Sequence, residues 1–195
     1  MIEVERVAVV LLAAGLSTRF GAGDKLAHPL GDLPLGLHAA RTLDRLPFAA
    51  KIAVTRREGL DYSPHGFRPV VNLAPELGLS DSIRLGIAAA RHVEPLAVLI
   101  ALADMPFITI QHVGELLRLF DAQHPIVASS HGGQSGPPVI FDATFFEALS
   151  ACEGDLGARM LIRDATLVAT SYAELIDVDT PADLSASCTR KCAET

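Results

Sequence analysis

Two cations and a handful of carboxylates carry the chemistry this sequence can do. Residues 11–26 read LLAAGLSTRFGAGDKL. An apolar run, VAVVLLAA, stops at Gly15, and a stretch of small residues follows that holds Gly21, Gly23, Ser17, Thr18, Arg19 and Lys25. Backbone amides freed by glycine, a planar guanidinium fork and a mobile ammonium together make a phosphate site. The stretch is not a P-loop, because Lys25 is followed by Leu26 where Ser or Thr is needed. Nor is it a dinucleotide fingerprint, since position 26 is not glycine and the loop is too long for that tight turn. The plainer alternative is a surface loop with two solvated cations. Carboxylates that could hold a divalent cation beside phosphates come later. Asp104 lies in VLIALADMPF, and Asp177 and Asp179 lie two apart in IDVDTPADL. Read without other information, Asp104 could be a turn former before Pro106, and Asp179 could simply precede a capped helix.

These groups need strand ends to hold them. Apolar runs at 7–13, 52–55, 69–72, 96–102, 126–129, 139–141, 166–170 and 175–178 read as strands; several lack polar alternation, as strands covered on both faces do. Helices are expected at 34–46, with Pro34 in the first turn, at 79–93, with Ser80 and Asp81 as caps, and at 109–122. Further helices are expected at 142–151 and 155–163, and a capping box at 180–183 opens the last one. The alternation predicts an α/β fold with a mostly parallel sheet, and residues 1–195 form one domain in this reading.

Composition narrows the partners. Sixteen Lys and Arg against 23 Asp and Glu give a net charge of −7 without any long basic run, which argues against nucleic acid. An anionic ligand must therefore meet local cations. There is neither a signal peptide pattern nor an apolar run long enough for a membrane span, and three cysteines without a CxxC suit a reduced, cytoplasmic protein. The seven histidines show no metal-ligand spacing.

The opening loop closely resembles the signature LAAGxSxRxGxxK of the MobA-like nucleotidyltransferases. That resemblance implies a Rossmann-like, three-layer fold of the nucleotide-diphospho-sugar transferase type. It implies that the loop wraps the triphosphate of an incoming nucleotide. Leu12, Ala13, Ala14, Gly15 and Ser17 would line the nucleotide, and Arg19 and Lys25 would neutralise its phosphates. The Asp-Met-Pro of the family's metal site falls on Asp104, and its Asn-or-Asp position falls on Asp179, ahead of Asp177. The metal implied is Mg²⁺, with Mn²⁺ as a substitute.

Three later stretches resemble the molybdenum cofactor cytidylyltransferases within that family. NLAPELGLSDSIRLGI (72–87) matches a segment that lies against base and ribose, which nominates Asn72, Ser80, Ser82 and Arg84. GQSGPPVIF (133–141) matches G-x-x-G-H-P-V-L-F and nominates Gly136 and Pro138 for the acceptor, with Pro137 where His is usual. EGDLGARMLI (153–162) nominates Gly154, Asp155 and Arg159 as an acceptor anion site. Ala13-Ala14 stands where guanylyltransferases usually carry Ala-Gly, so the pair leans towards CTP. Gly36 stands where the family more often has an apolar residue. The resemblance implies transfer of CMP from CTP to a molybdopterin-type cofactor, with lysine and arginine catalysis by Lys25 and Arg19, and a molybdenum dehydrogenase as recipient. Another nucleotide or small phosphorylated acceptor, or a non-catalytic cofactor carrier, stays open at this point.

Overall fold

All seven residues of the first strand are buried, and they divide by parity between two cores. Val7, Val9, Leu11 and Ala13 face one helical layer, and Ala8, Val10 and Leu12 face the other. Alternate side chains of a strand point to opposite faces, so an unbroken apolar run is what a doubly covered central strand requires. Each buried Val or Leu contributes about 1.5–3 kcal/mol, which makes this strand the anchor of the sheet.

The structure is a computed structural model, and it describes residues 2–16, 20, 24–152, 154, 160–178 and 183. In chain order the elements are β1 (Val7–Ala13), β2 (Pro29–Leu30), β3 (Leu33–Pro34), α1 (Leu35–Asp44), β4 (Ala50–Thr55), β5 (Arg68–Val71), α2 (Leu79–Ala90), β6 (Ala97–Leu102), α3 (Ile110–Leu119), β7 (Ile126–His131), β8 (Gln134–Asp142), α4 (Phe146–Ala151) and β9 (Thr166–Ala169). Seven strands make one sheet in the order β5-β4-β1-β6-β8-β7-β9. The pairs β4–β5, β1–β4, β1–β6 and β7–β9 are parallel; β8 runs antiparallel to both its neighbours. Residues of α1 and α3 pack on one face, and residues of α2 and α4 on the other, giving three layers.

The helix α2 lies very close to the sheet. A Cβ at Gly86 would collide with Val10 Cγ1, so this glycine sets the approach of α2 to β1. The chain builds β4 and β5 outward on one side of β1 and then crosses to β6 on the other. Such a reversal leaves a crevice at the carboxyl ends of the strands, where ligands of open α/β sheets sit.

The sequence reading needs correction at several elements. Residues 175–178 do not form a strand; residues 172–175 turn, with Leu175 N donating to Tyr172 O (3.2 Å), and Val178 N donates to Asp104 O (3.0 Å) in place of a ladder. Pro34 pairs in β3 and caps α1 rather than beginning it, and His28 O accepts the Leu35 N–H that opens the helix (2.8 Å). Ser80 and Asp81 lie inside α2, whose cap is Gly78 at φ 90°, a left-handed backbone that suits glycine. The run 139–141 lies near the C-terminal end of the longer β8, which is joined to β7 by Gly132 and Gly133 at φ 57° and 81°. Two consecutive positive φ values make the hairpin turn that matches strand twist, and Gly-Gly supplies them without steric cost. The helix expected at 155–163 and the capping box at 180–183 fall largely outside the described residues.

Candidate active site

The crevice holds a lysine and an aspartate in contact. Lys25 opens a short 3₁₀ turn, Lys25–Ala27, whose N-cap is Asp24; the Asp24 carboxylate accepts from Leu26 N at 3.1 Å. Lys25 is 6% exposed, and its Nζ donates to Asp104 Oδ2 at 2.9 Å. Asp104 follows β6 by two residues, and the bond from Ala103 N to Leu12 O (3.0 Å) carries the β1–β6 pairing past the strand end. The other oxygen, Asp104 Oδ1, is buried and has no hydrogen-bond partner among the described residues. A buried carboxylate oxygen without a donor favours a cation. Divalent magnesium is held through one or two carboxylates plus phosphates and water, so the residues present fit such an ion. No group of three or more His, Cys, Asp or Glu able to hold a metal exists among the described residues.

Asp177 directly precedes Val178, whose N–H donates to the Asp104 carbonyl. The Glu174 carboxylate accepts from both Thr109 Oγ1 and Thr170 Oγ1, which ties the turn before Asp177 to the start of α3. Asp177 lines two neighbouring cavities. One, of about 670 Å³, is walled by Leu12, Ile83, Ile100, Leu102 and Phe141; the other, of about 310 Å³, includes Met105, His131 and Tyr172. Gln134, Ser135, Gly136 and Pro137 border both. The crevice therefore offers apolar walls with a few polar groups at one end, as small-molecule sites do.

A buried network shapes the wall at Gly136 and Pro137. The β7–β8 register slips between Ala128 and Ser129, which leaves Pro137 and Pro138 in a bulge. Ser129 Oγ donates to Pro138 O at 2.7 Å, and His112 Nε2 lies 2.7 Å from the same hydroxyl. A hydroxyl has one proton, already given to Pro138, so His112 must donate from Nε2. Burial pushes the His112 pKa below its ordinary 6.5, against the opposing pull of Glu174 and Glu115.

The residues nominated from sequence fall into three groups. Leu12 and Ala13 end β1 and Ala14 follows it, all as small or apolar buried groups, and among the described residues nothing lies within 4 Å of where a Gly15 Cβ would stand. Lys25 and Asp104 meet, and Gly136 borders the cavities, while Pro138 contributes its carbonyl to the network behind them. A second group is occupied with internal contacts. Asn72 Nδ2 donates to Ser82 Oγ (3.0 Å), Asn72 Oδ1 accepts from Ala74 N (2.8 Å), and Ser80 Oγ accepts from Gly154 N (3.0 Å). Arg84 pairs with Asp81; with Ser80 and Gly154 they line a separate cavity of about 480 Å³. Ser17, Arg19, Asp155, Arg159 and Asp179 lie outside the described residues.

Sequence reasoning missed four features. Arg56, immediately after β4, pairs with Asp24 at 2.7 Å. Tyr62 is buried against α1, where a Cβ at Gly36 would lie 2.8 Å from its hydroxyl and 2.9 Å from Leu26 Cβ. Gly36, whose departure from the family pattern had no explanation, makes room for this tyrosine. Burial, then the charges of Asp24 and Asp104, drives the Tyr62 pKa well above its ordinary 10. The third feature is the His112–Ser129 network, and the fourth is the pair of cavities flanking Asp177. Two signals in the sequence point to these features: the departure at Gly36, and Arg56-Arg57 directly after an apolar run.

A mostly parallel α/β sheet with a cation–carboxylate pair at its switch point defines a nucleotide-handling enzyme fold. The chain belongs to the MobA-like NTP transferase domain family, which matches residues 9–171. It is 31% identical over 189 residues to the purine catabolism protein PucB of Bacillus subtilis, a match covering 88% of this chain and 91% of that protein. It is 32% identical over 169 residues to the nicotine blue oxidoreductase of Paenarthrobacter nicotinovorans, covering 79% of this chain and 80% of that one. Among solved structures, a nucleotidyl transferase from Methanothermobacter superposes with a TM-score of 0.81 at 19% identity, over 97% of this chain and 99% of that one. Rv0371c of Mycobacterium tuberculosis in complex with manganese superposes with a TM-score of 0.69 at 21% identity, over 94% and 98%. Among the described residues, no helix is long and apolar enough to cross a membrane.

Proposed function

We propose that this protein is a divalent-metal-dependent nucleotidyltransferase that moves CMP from CTP to a molybdopterin-type cofactor and releases pyrophosphate. Residues 1–195 act in this reading as one nucleotidyltransferase domain. The observation that carries it is the Lys25–Asp104 contact at the end of β1, with one Asp104 oxygen left for a cation. In the reaction, an oxygen of the acceptor's terminal phosphate bonds to the α-phosphorus, and the bond from that phosphorus to the bridging oxygen of the β-phosphate breaks. No protein nucleophile is needed, so catalysis is positioning and electrostatics. Lys25 stabilises charge at the α-phosphate and Arg19 holds the departing pyrophosphate. Asp104, with Asp179, would hold Mg²⁺ or Mn²⁺, and the ion when bound offsets negative charge on the phosphate oxygens. Ala14, which stands where guanylyltransferases usually carry glycine, leaves less room beneath the base, which favours a pyrimidine. The apolar crevice beside Asp177, bordered by Gly136 and Pro137, suits a bulky heterocyclic acceptor. A molybdenum dehydrogenase is the expected recipient of the product, in the cytoplasm.

The relative named an oxidoreductase supports one second reading, in which the crevice binds a redox substrate. Pyrophosphate release with CTP, GTP, ATP or UTP against purified molybdenum cofactor separates the readings. Release with CTP alone is expected. Release with GTP alone overturns the base assignment, and tight ligand binding without release from any nucleotide overturns transfer itself.

A further inference from the structure

The contacts around Lys25 continue away from the crevice. Asp24, which caps the turn that Lys25 opens, is gripped from the far side by Arg56 at 2.7 Å. Arg56 directly follows β4, and Asp104 follows β6 by two residues. These strands flank β1 on its two sides. The line Arg56–Asp24–Lys25–Asp104 thus spans the carboxyl end of the central strand, with steps of 2.7 Å and 2.9 Å at its two ion pairs. The Arg56 and Asp24 side chains are 25% and 21% exposed, so solvent screens their pair less than a surface pair. A lysine stem has four rotatable carbons. Something must hold that stem on target before a nucleotide arrives.

We propose that Arg56 is a positioning residue for nucleotidyl transfer: it fixes Asp24, Asp24 fixes the turn, and the turn aims Lys25. This rests on the reading of Lys25 as a phosphate-neutralising group. Arg56 touches no reacting atom in this scheme. A Gln or Ala at 56 would leave Asp24 capping Leu26 but free to swing with it.

The first readout does not need activity. Competitive acylation of the folded protein with trace acetic anhydride reports how accessible and free each lysine amine is. Lys51, held by Asp44 at 2.6 Å on another part of the molecule, is the internal reference. Arg56→Ala and Asp24→Asn should each raise Lys25 labelling relative to Lys51 several-fold, the double variant should add nothing further, and Arg56→Lys should restore much of the protection. The second readout is pyrophosphate release, where kcat in Arg56→Ala should fall roughly 10- to 100-fold with nucleotide KM little changed, as a small misplacement of a reacting-site cation does. If Arg56→Ala fails to fold, Asp24→Asn tests the same brace. Unchanged Lys25 labelling in both variants overturns the proposal. So does unchanged kcat in Arg56→Ala while Lys25→Ala abolishes turnover. If labelling rises but Lys25→Ala keeps full turnover, the brace stands and the catalytic reading of Lys25 is what fails.

Discussion

Adding one methyl at Gly36 should disturb the site more than the fold. In Gly36→Ala the new Cβ meets Tyr62 Oη at 2.8 Å, Leu26 Cβ at 2.9 Å and Leu60 Cδ1 at 3.1 Å. Comfortable carbon contacts need about 3.5–4.0 Å, so these neighbours must give by roughly 0.5–1 Å. Overpacking of that kind costs about 1–3 kcal/mol, while alanine in a helix gains about 1 kcal/mol over glycine. The net is a modest loss of roughly 0–2 kcal/mol, read as a lower urea midpoint. Leu26 is the neighbour of Lys25, however, and it sits in the same three-residue turn. A shift of that turn by up to about 1 Å moves the ammonium relative to Asp104 and can cost as much as ~100-fold in turnover. Tyr62→Phe alone should be neutral or stabilising, because the Tyr62 hydroxyl is buried with no partner among the described residues. In Gly36→Ala/Tyr62→Phe the hydroxyl clash is gone and the Leu26 clash stays, so stability should recover partly and turnover less. The measurement is a urea curve and a pyrophosphate-release rate for each of the four proteins. Wild-type midpoint and wild-type rate in Gly36→Ala would refute the packing that links α1 to Lys25.

Other consequences follow from the same contacts. Lys25→Ala should lower kcat by about 100- to 1000-fold, the range for removing one preorganised charge-stabilising group; wild-type turnover at saturating nucleotide would remove Lys25 from the mechanism. Ser129→Ala frees the Pro138 carbonyl and His112 Nε2 together and loosens the bulge beside Gly136, so acceptor KM should rise more than nucleotide KM. The His112 pKa is lowered in the fold, so the unfolded chain takes up its proton first as pH falls. The neutral histidine's contribution is intact above pH 6.5 and is lost as pH drops from 6.5 towards the folded value. The urea midpoint should therefore fall between pH 7.5 and 5.5 less steeply in His112→Asn than in the wild type, and parallel slopes would contradict the burial argument.

Much of the framework was legible in the sequence because it rests on unbroken apolar runs. Val7–Ala13 and Ala97–Leu102 announce doubly covered strands, and Lys25 and Asp104 follow them closely, so the pair at the crevice could be expected. Tertiary packing decided what could not be seen. The 175–178 run has a strand's composition, yet Glu174 is captured by Thr109 and Thr170, Leu175 closes a turn onto Tyr172, and Val178 bonds to the Asp104 carbonyl. The antiparallel course of β8 was written in Gly132-Gly133, a local turn signal easily passed over between two apolar runs. Asn72 and Ser82 are polar residues of the kind that bind ligands, and their mutual bond shows that such residues also serve to hold a loop. Arg56 and Tyr62 act on the site through contacts 32 and 26 residues away from Asp24 and Gly36, a distance no local pattern spans.

The most direct test of the central claim follows the α-phosphate. CTP carrying ³²P at the α position is incubated with purified molybdenum cofactor, Mg²⁺ and the protein, and the cofactor is then separated and counted alongside released pyrophosphate. Label entering the cofactor one-for-one with pyrophosphate, and lost in Asp104→Ala, is the expected result. Cofactor that binds but gains no label, from CTP or from any other nucleotide, would contradict nucleotidyl transfer by this protein.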